Sequence, residues 1–237
     1  MQQMTHAPAL DARLRTAFDF VRPGAIVADI GTDHAYLPAA LILEGRALSA
    51  IAADVNAGPL VHAAETVKKY GLTDRVQLRE TDGLHGLEEE GLTDILIFGM
   101  GGELIVRILN EAPFTRNSAI RLILQPMTKC AELRRWLTAN GFSICGEQMS
   151  QAAGKIYQTI CAEYSAKPTA LSPLEEEFGP CNLAAGSDLL HARMSHWLDV
   201  LNARLDGRSR AGLSGGDDEK MRDEILAWRS THGGNAT

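Results

Sequence analysis

Asp29, Asp33, Asp54 and Asp82 fall at or just after short apolar runs in the first hundred residues, so the chain sets carboxylates at intervals along a patterned segment. Carboxylates accept hydrogen bonds from hydroxyl and amino groups and attract cations, whereas they repel phosphates. The stretch VADIGTDHAYLP, residues 27–38, carries Asp29, Asp33 and His34 around a single glycine, Gly31. A loop that cradles a dinucleotide pyrophosphate needs several glycines, so that the backbone can approach the phosphates and a helix N-terminus can face them. This loop suits a cation or an amino-acid ammonium group instead.

The later runs narrow the ligand. Asp54 closes the second run at the spacing from Asp29 where an acidic residue takes ribose hydroxyls. In TDGL, residues 81–84, Asp82 can accept from an adenine amino group while Gly83 leaves room for the ring. In FGMGG, residues 98–102, Gly99 opens the backbone and Met100 can lie against an aromatic face. S-adenosylmethionine, which carries a sulfonium and an ammonium, meets these demands together. Taken singly, Asp54 or Asp82 is more often a helix cap than a ligand-binding residue, by about two to one, and a lone loop histidine such as His34 more often bonds locally. The combination at four run ends is what points to a ligand.

Such residues need a scaffold that brings run ends together. Runs at 25–30 (AIVADI), 50–54, 76–79, 94–98 (DILIF) and 121–125 (RLILQ) read as strands, and 57–70, 101–111 and 129–139 as the helices between them. That alternation predicts an α/β fold with a doubly wound parallel sheet, whose crevice lies at the carboxyl ends of the strands. Residues 9–21 predict an amphipathic helix ahead of the first strand. FSICGEQMS and KIYQTICAEY, joined at AAGK, predict a hairpin closing one sheet edge. RLRTAFDFVR and RRW read as solvated helix faces.

Beyond Tyr164, SAKPTALSPLEEEFGP reads as a linker, which places a boundary between residues 1–165 and 166–237. Leu190, Met194, Trp197, Leu201 and Leu205, then Met221, Ile225 and Trp228, keep helical spacing and predict two antiparallel helices forming a helical hairpin or short coiled coil.

Composition sets outer bounds. The 237 residues are 45% hydrophobic, enough for a buried core, and the formal net charge of −7 excludes nucleic-acid binding through overall charge while leaving local basic patches free to act. No apolar run approaches the roughly 18 residues of a membrane span, and the start lacks a basic region followed by an apolar stretch. A cytoplasmic, soluble protein is the expectation. Cys130, Cys145, Cys161 and Cys181 are too widely spaced for a local zinc site or disulfide framework, so free thiols and no metal are expected.

VADIGTDHAYLPA, FGMGGELI, RLILQPM, GKIYQTICAE and FGP, in this order, resemble the bacterial tRNA (adenine(22)-N1)-methyltransferase family known as TrmK. The resemblance implies a class I, Rossmann-like methyltransferase fold, S-adenosylmethionine as cofactor, tRNA as substrate, and a C-terminal coiled-coil-like domain that contributes to tRNA binding. It places Asp29, Gly31, Asp33 and His34 in the first cofactor loop, Asp54 at the ribose, Asp82 and Gly83 near the cofactor adenine, and Gly99 and Met100 at the cleft. Two positions depart from the pattern: Asp54 stands where some relatives carry Glu, and Met127 where Asn is common.

For such a reaction adenine N1 would attack the methyl carbon in line with the departing sulfur, with no covalent enzyme intermediate. N1 carries no proton in neutral adenosine, so positioning supplies most of the rate gain. Asp33 is the candidate to stabilise the charge developing on the base or to accept an N6 proton, and Tyr36 to orient or stack on it. Arg193, Arg204, Arg208 and Arg210 are available for phosphates on the helical pair. No obligatory protein partner is evident. A small-molecule N-methyltransferase and an inactive RNA-binding protein with a retained cofactor pocket are the competing expectations.

Overall fold

The computed structural model describes residues 6–232. Helix α1, Ala12–Phe20, starts at an Asp11 cap whose carboxylate accepts from the Leu14 amide at 2.8 Å. The apolar runs then form β1 (Ala25–Ile30), β2 (Ala47–Asp54), β3 (Val76–Glu80), β4 (Asp94–Phe98) and β5 (Arg121–Gln125). Between them lie α2 (Tyr36–Leu43), α3 (Ala57–Lys69), α4 (Gly102–Glu111) and α5 (Cys130–Ala139). A hairpin, β6 (Phe142–Ala152) and β7 (Lys155–Tyr164), completes a seven-stranded sheet of order β3-β2-β1-β4-β5-β7-β6. The first five strands run parallel and the hairpin antiparallel. The sheet reverses its winding between β1 and β4, the place where an open sheet of this kind opens a crevice.

Both faces are covered, which is why β1, β4 and β5 read as nearly unbroken apolar runs. Val27, Leu96 and Ile123 point into a core shared with Val21, Leu41 and Val67. Their neighbours Ala28, Ile95, Ile97 and Leu122 point into the opposite core, with Ile105, Leu109, Leu133 and Leu137. By that alternation Asp29 and Gln125 share the face of Val27 and Ile123, at the carboxyl ends of their strands. There α1 closes over them: Arg13 donates to Gln125 at 3.4 Å, and Gln125 donates to Thr159 at 2.8 Å.

The segment expected to be a linker is partly helical, with α6 (Pro173–Phe178) and α7 (Pro180–Ala185). Ser172 and Glu175 form a reciprocal capping box, with Pro173 in the first turn. The long helices α8 (Asp188–Arg210) and α9 (Asp217–His232) follow. Their stripe builds a third core, in which Phe178, Leu183, Leu190, Met194, Leu201 and Ile225 pack with Met149 of the hairpin. The helical pair is thus seated on β6 and β7 as well as on itself.

One expectation reverses here. Arg134, from the RRW stretch, is fully buried, whereas its neighbour Arg135 has a 62% exposed side chain. The Arg134 guanidinium donates to Glu147 (2.7 Å), to Gln158 (2.8 Å) and to the carbonyls of Glu176 and Glu177 (2.9 and 3.1 Å). The other Glu147 oxygen accepts from the Cys181 amide at 2.9 Å. Gly179, at φ +91°, sits where any side chain would run into that carboxylate, which explains the glycine of FGP. The four cysteines are free; Cys145 and Cys161 face each other across the hairpin with sulfurs 3.3 Å apart. Among the described residues no cluster of His, Cys, Asp and Glu has the arrangement of a metal site.

Candidate cofactor and acceptor site

A cavity of about 380 Å³ opens at the carboxyl end of β1, under α1 and beside the first turn of α2. Asp29, Gly31, Asp33, His34, Tyr36 and Gly99 all line it, together with Thr32 and Arg13. Six of the ten candidate residues therefore meet at one place, although they come from two loops far apart in sequence.

Asp29 is the buried member, only 7% exposed. Burial pushes its carboxyl up to about 6, against the opposing pull of the nearby Thr32 hydroxyl and the positive charge of Arg13. The Thr32 hydroxyl is itself buried and makes no hydrogen bond of good geometry. A buried hydroxyl without a well-formed bond beside a buried carboxylate is a pair that a polar ligand would complete. Gly31 has φ +78°, and a Cβ there would lie 2.5 Å from the Met100 methyl. A side chain at 31 would thus need both an unfavourable backbone and displacement of Met100, so glycine keeps the floor clear. This contact ties Met100 to the site from below; it packs with the core under the sheet.

The exposed side of the cavity is built differently. Asp33 has a 78% exposed side chain and lies 3.4 Å from His34. The His34 ring stacks on Tyr36 at 5.2 Å between centroids and approaches His62 at 5.1 Å. Tyr36 opens α2 and is 43% exposed. Ala35 before it adopts a left-handed conformation, φ 52°, and gives α2 no side-chain cap, so the first-turn amides beside the cavity are unclaimed by a capping side chain.

Asp54, Asp82 and Gly83 stand at the ends of the neighbouring strands but do not line this cavity. Asp54 accepts from the Asn56 amide at 2.8 Å in a local turn ahead of α3, whose cap residue is Asn56 and receives no side-chain capping bond, so Asp54 does not cap that helix. The Asp82 carboxylate is gripped at both oxygens by Arg107, at 2.9 and 3.2 Å, and the Arg107 hydrogen bonds hold its carboxyl below the usual carboxylate range. Gly83, φ +61°, packs against Ile108 of α4. Arg13 and Thr32 were missed from the sequence. Thr32 lies inside the quoted motif, but Arg13 comes from a helix whose contact with β1 no local pattern records.

The methyltransferase domain family matches residues 10–160 of this chain. The chain is 37% identical over 154 residues to a tRNA (adenine(22)-N(1))-methyltransferase of Bacillus subtilis, a match spanning 65% of this chain and 65% of that protein's length. It is 33% identical to the crystal structure of Streptococcus pneumoniae Sp1610, a putative tRNA (m1A22) methyltransferase, over 94% of this chain and all of that one, with a TM-score of 0.82. The same protein in complex with S-adenosyl-L-methionine superposes with a TM-score of 0.83 at 34% identity, over 92% of this chain and all of that one.

Proposed function

The chain belongs to the methyltransferase domain family and, within it, to the tRNA (adenine(22)-N1)-methyltransferases, and from that premise we propose that it methylates N1 of adenine 22 in tRNA with S-adenosylmethionine as the donor. The observation that carries this reading is the β1 cavity, which joins a buried carboxylate, an unpartnered hydroxyl and an uncapped helix start to an exposed acid and a stacked tyrosine.

These groups suit the cofactor. When bound, S-adenosylmethionine supplies a methyl group activated by its sulfonium. Asp29, with Thr32, holds an ammonium group in a buried position where charge pairing is strong. The first turn of α2 suits a carboxylate. The Asp54 oxygen not engaged by Asn56 accepts from ribose hydroxyls, and Gly99 and Met100 flank the cleft. Asp82 receives an adenine amino group only as a further partner beside Arg107, while Gly83 sets the loop.

The acceptor side follows from exposure. Tyr36, backed by His34, offers a plate on which a flipped adenine stacks. Asp33 faces solvent beside it, and its charge offsets the positive charge that develops on the base. No base is required before attack, because N1 of neutral adenine has no proton to remove. Residues 166–237 form the tRNA-binding unit, and the enzyme works in the cytoplasm without an obligatory protein partner. Among the described residues no helix is long and apolar enough to cross a membrane.

The test is methyl transfer from labelled S-adenosylmethionine to unmodified bacterial tRNA, followed by nuclease digestion and mass spectrometry. The expected product is 1-methyladenosine at position 22. Saturable cofactor binding without transfer to any tRNA would redirect the assignment to metabolite substrates. Asp33→Asn, which keeps the loop shape, should lower turnover by about tenfold or more; full turnover with unchanged cofactor affinity would remove Asp33 from the reaction.

A further inference from the structure

A second cavity, of about 600 Å³, lies where the start of α5, strand β7 and helix α8 meet. Its lining runs against the charge of the chain. Lys129, Arg135, Lys155, Arg193 and Arg204 face it, against Glu132 and Glu177 as the acids, in a protein of net charge −7. Four of these cations are already paired, Lys129 with Glu132 at 2.9 Å, Arg135 with Glu176 at 2.5 Å, Arg193 with Glu177 at 2.8 Å and Arg204 with Asp218 at 3.5 Å, but the Lys155 side chain has no ion pair or hydrogen bond among the described residues.

Two buried donors in this wall lack partners: Arg193 Nε and Trp197 Nε1. Buried N–H groups are almost always satisfied, so two of them around one basic cavity call for an acceptor. The start of α5 adds uncapped amides to the same wall. Arg204 lies over the Trp197 ring at 5.6 Å and covers its face.

The two cavities are joined by a third, of about 680 Å³. It shares Arg13 and Gly99 with the cofactor cavity, and Met127 and Tyr157 with the basic one. Arg13 stands 5.7 Å over the Tyr157 ring at the junction. The three cavities therefore lie side by side along the carboxyl edge of the sheet, from Asp29 to Trp197.

We infer that the α5–β7–α8 cavity is a phosphate site for the RNA strand, in which Arg193, Trp197 and Lys155 take a backbone phosphate near the nucleotide whose base enters the β1 cavity. The inference rests on the methyl-transfer reading for the identity of its RNA, and it names where that RNA is gripped. Arg208 and Arg210, farther along α8, do not line this cavity.

The experiment measures binding of unmodified tRNA to the full chain by fluorescence anisotropy across a salt series, for wild type, Lys155→Gln and Trp197→Phe. The Lys155 side chain is exposed and unpaired, and phenylalanine keeps an aromatic, smaller side chain at 197 while removing the N–H, so neither change strands a buried partner. Each variant should bind tRNA several-fold more weakly, and Lys155→Gln should reduce the slope of log affinity against log salt by about one. S-adenosylhomocysteine binding, measured in parallel, reports that the fold and the first cavity are intact. Wild-type tRNA affinity and salt slope in both variants overturn the inference. If inorganic phosphate at constant ionic strength stabilises wild type but not the variants while their tRNA binding is unchanged, the site serves a small phosphate ester and the RNA assignment fails. If wild type transfers no methyl group to tRNA yet the variants bind it more weakly, the phosphate site stands and the methyl-transfer reading falls.

Discussion

Asp29, proposed above to hold the cofactor's ammonium group, carries a cost in folding stability that follows from its burial. Burial pushes its carboxyl up from the ordinary 3.8 to about 6. The folded state therefore binds the proton more tightly than the unfolded chain, and stability falls as pH rises from about 4 to about 6, then levels off. The shift corresponds to about 3 kcal/mol. Asp29→Asn should remove this pH dependence and raise the stability of the cofactor-free protein at pH 8 by up to that amount, as read by urea unfolding. The same change should weaken S-adenosylhomocysteine binding, and in wild type that binding should decline as pH falls through 6. A variant that is more stable but binds equally well would separate Asp29 from the ligand. The sequence shows that a carboxylate stands here, because it ends an apolar run before a glycine. Its charged neighbour Arg13 comes from α1, which no spacing within residues 27–38 encodes. Asp82 makes the complementary point: its partner Arg107 lies 25 positions away on α4, and the motif TDGL carries no sign of it.

At the level of elements, periodicity served well where one physical rule dominates. Strands β1, β4 and β5 are buried on both faces and announce themselves as apolar runs, and the hairpin turns at Gly154, where φ is +74°. Prolines misled in SAKPTALSPLEEEFGP, because Pro173 and Pro180 start helices instead of preventing them; Ser172 and Glu175 carried the missing signal. Arg134 was illegible because buried arginine is rare and its acceptors come from β6, β7 and α6. Removing its charge should be expensive. Arg134→Met leaves Glu147 buried without its partner and should cost about 3–5 kcal/mol in urea unfolding, while Arg134→Met with Glu147→Met should recover much of that loss. Equal stability of the single and double variants would show that the pair does not act as a unit.

Taken whole, the molecule joins its sheet to its C-terminal helices through buried contacts. Met149 of β6 belongs to the core of the helical pair, and Arg134 of α5 bonds the backbone of α6. Unfolding should therefore be a single transition across both parts. Trp136 lies in α5, Trp197 in α8 and Trp228 in α9, so single-tryptophan variants should report coincident midpoints in urea. Separate midpoints would mean that the helices melt independently of the sheet. The division at residue 165, natural in sequence because composition changes there, crosses a packed region in space.

The hairpin that bridges the two parts also fixes a length. Tyr157 on β7 borders both the middle cavity and the basic one, while β7 itself is hydrogen-bonded to β5. The interval between the proposed phosphate site and Tyr36 at the start of α2 would then be set by packed strands and helices, not by a flexible tether. On the two readings proposed above the protein would act as a ruler, selecting the nucleotide that lies a set distance along the strand from the phosphate it holds and finding its adenine by counting as well as by recognising the base.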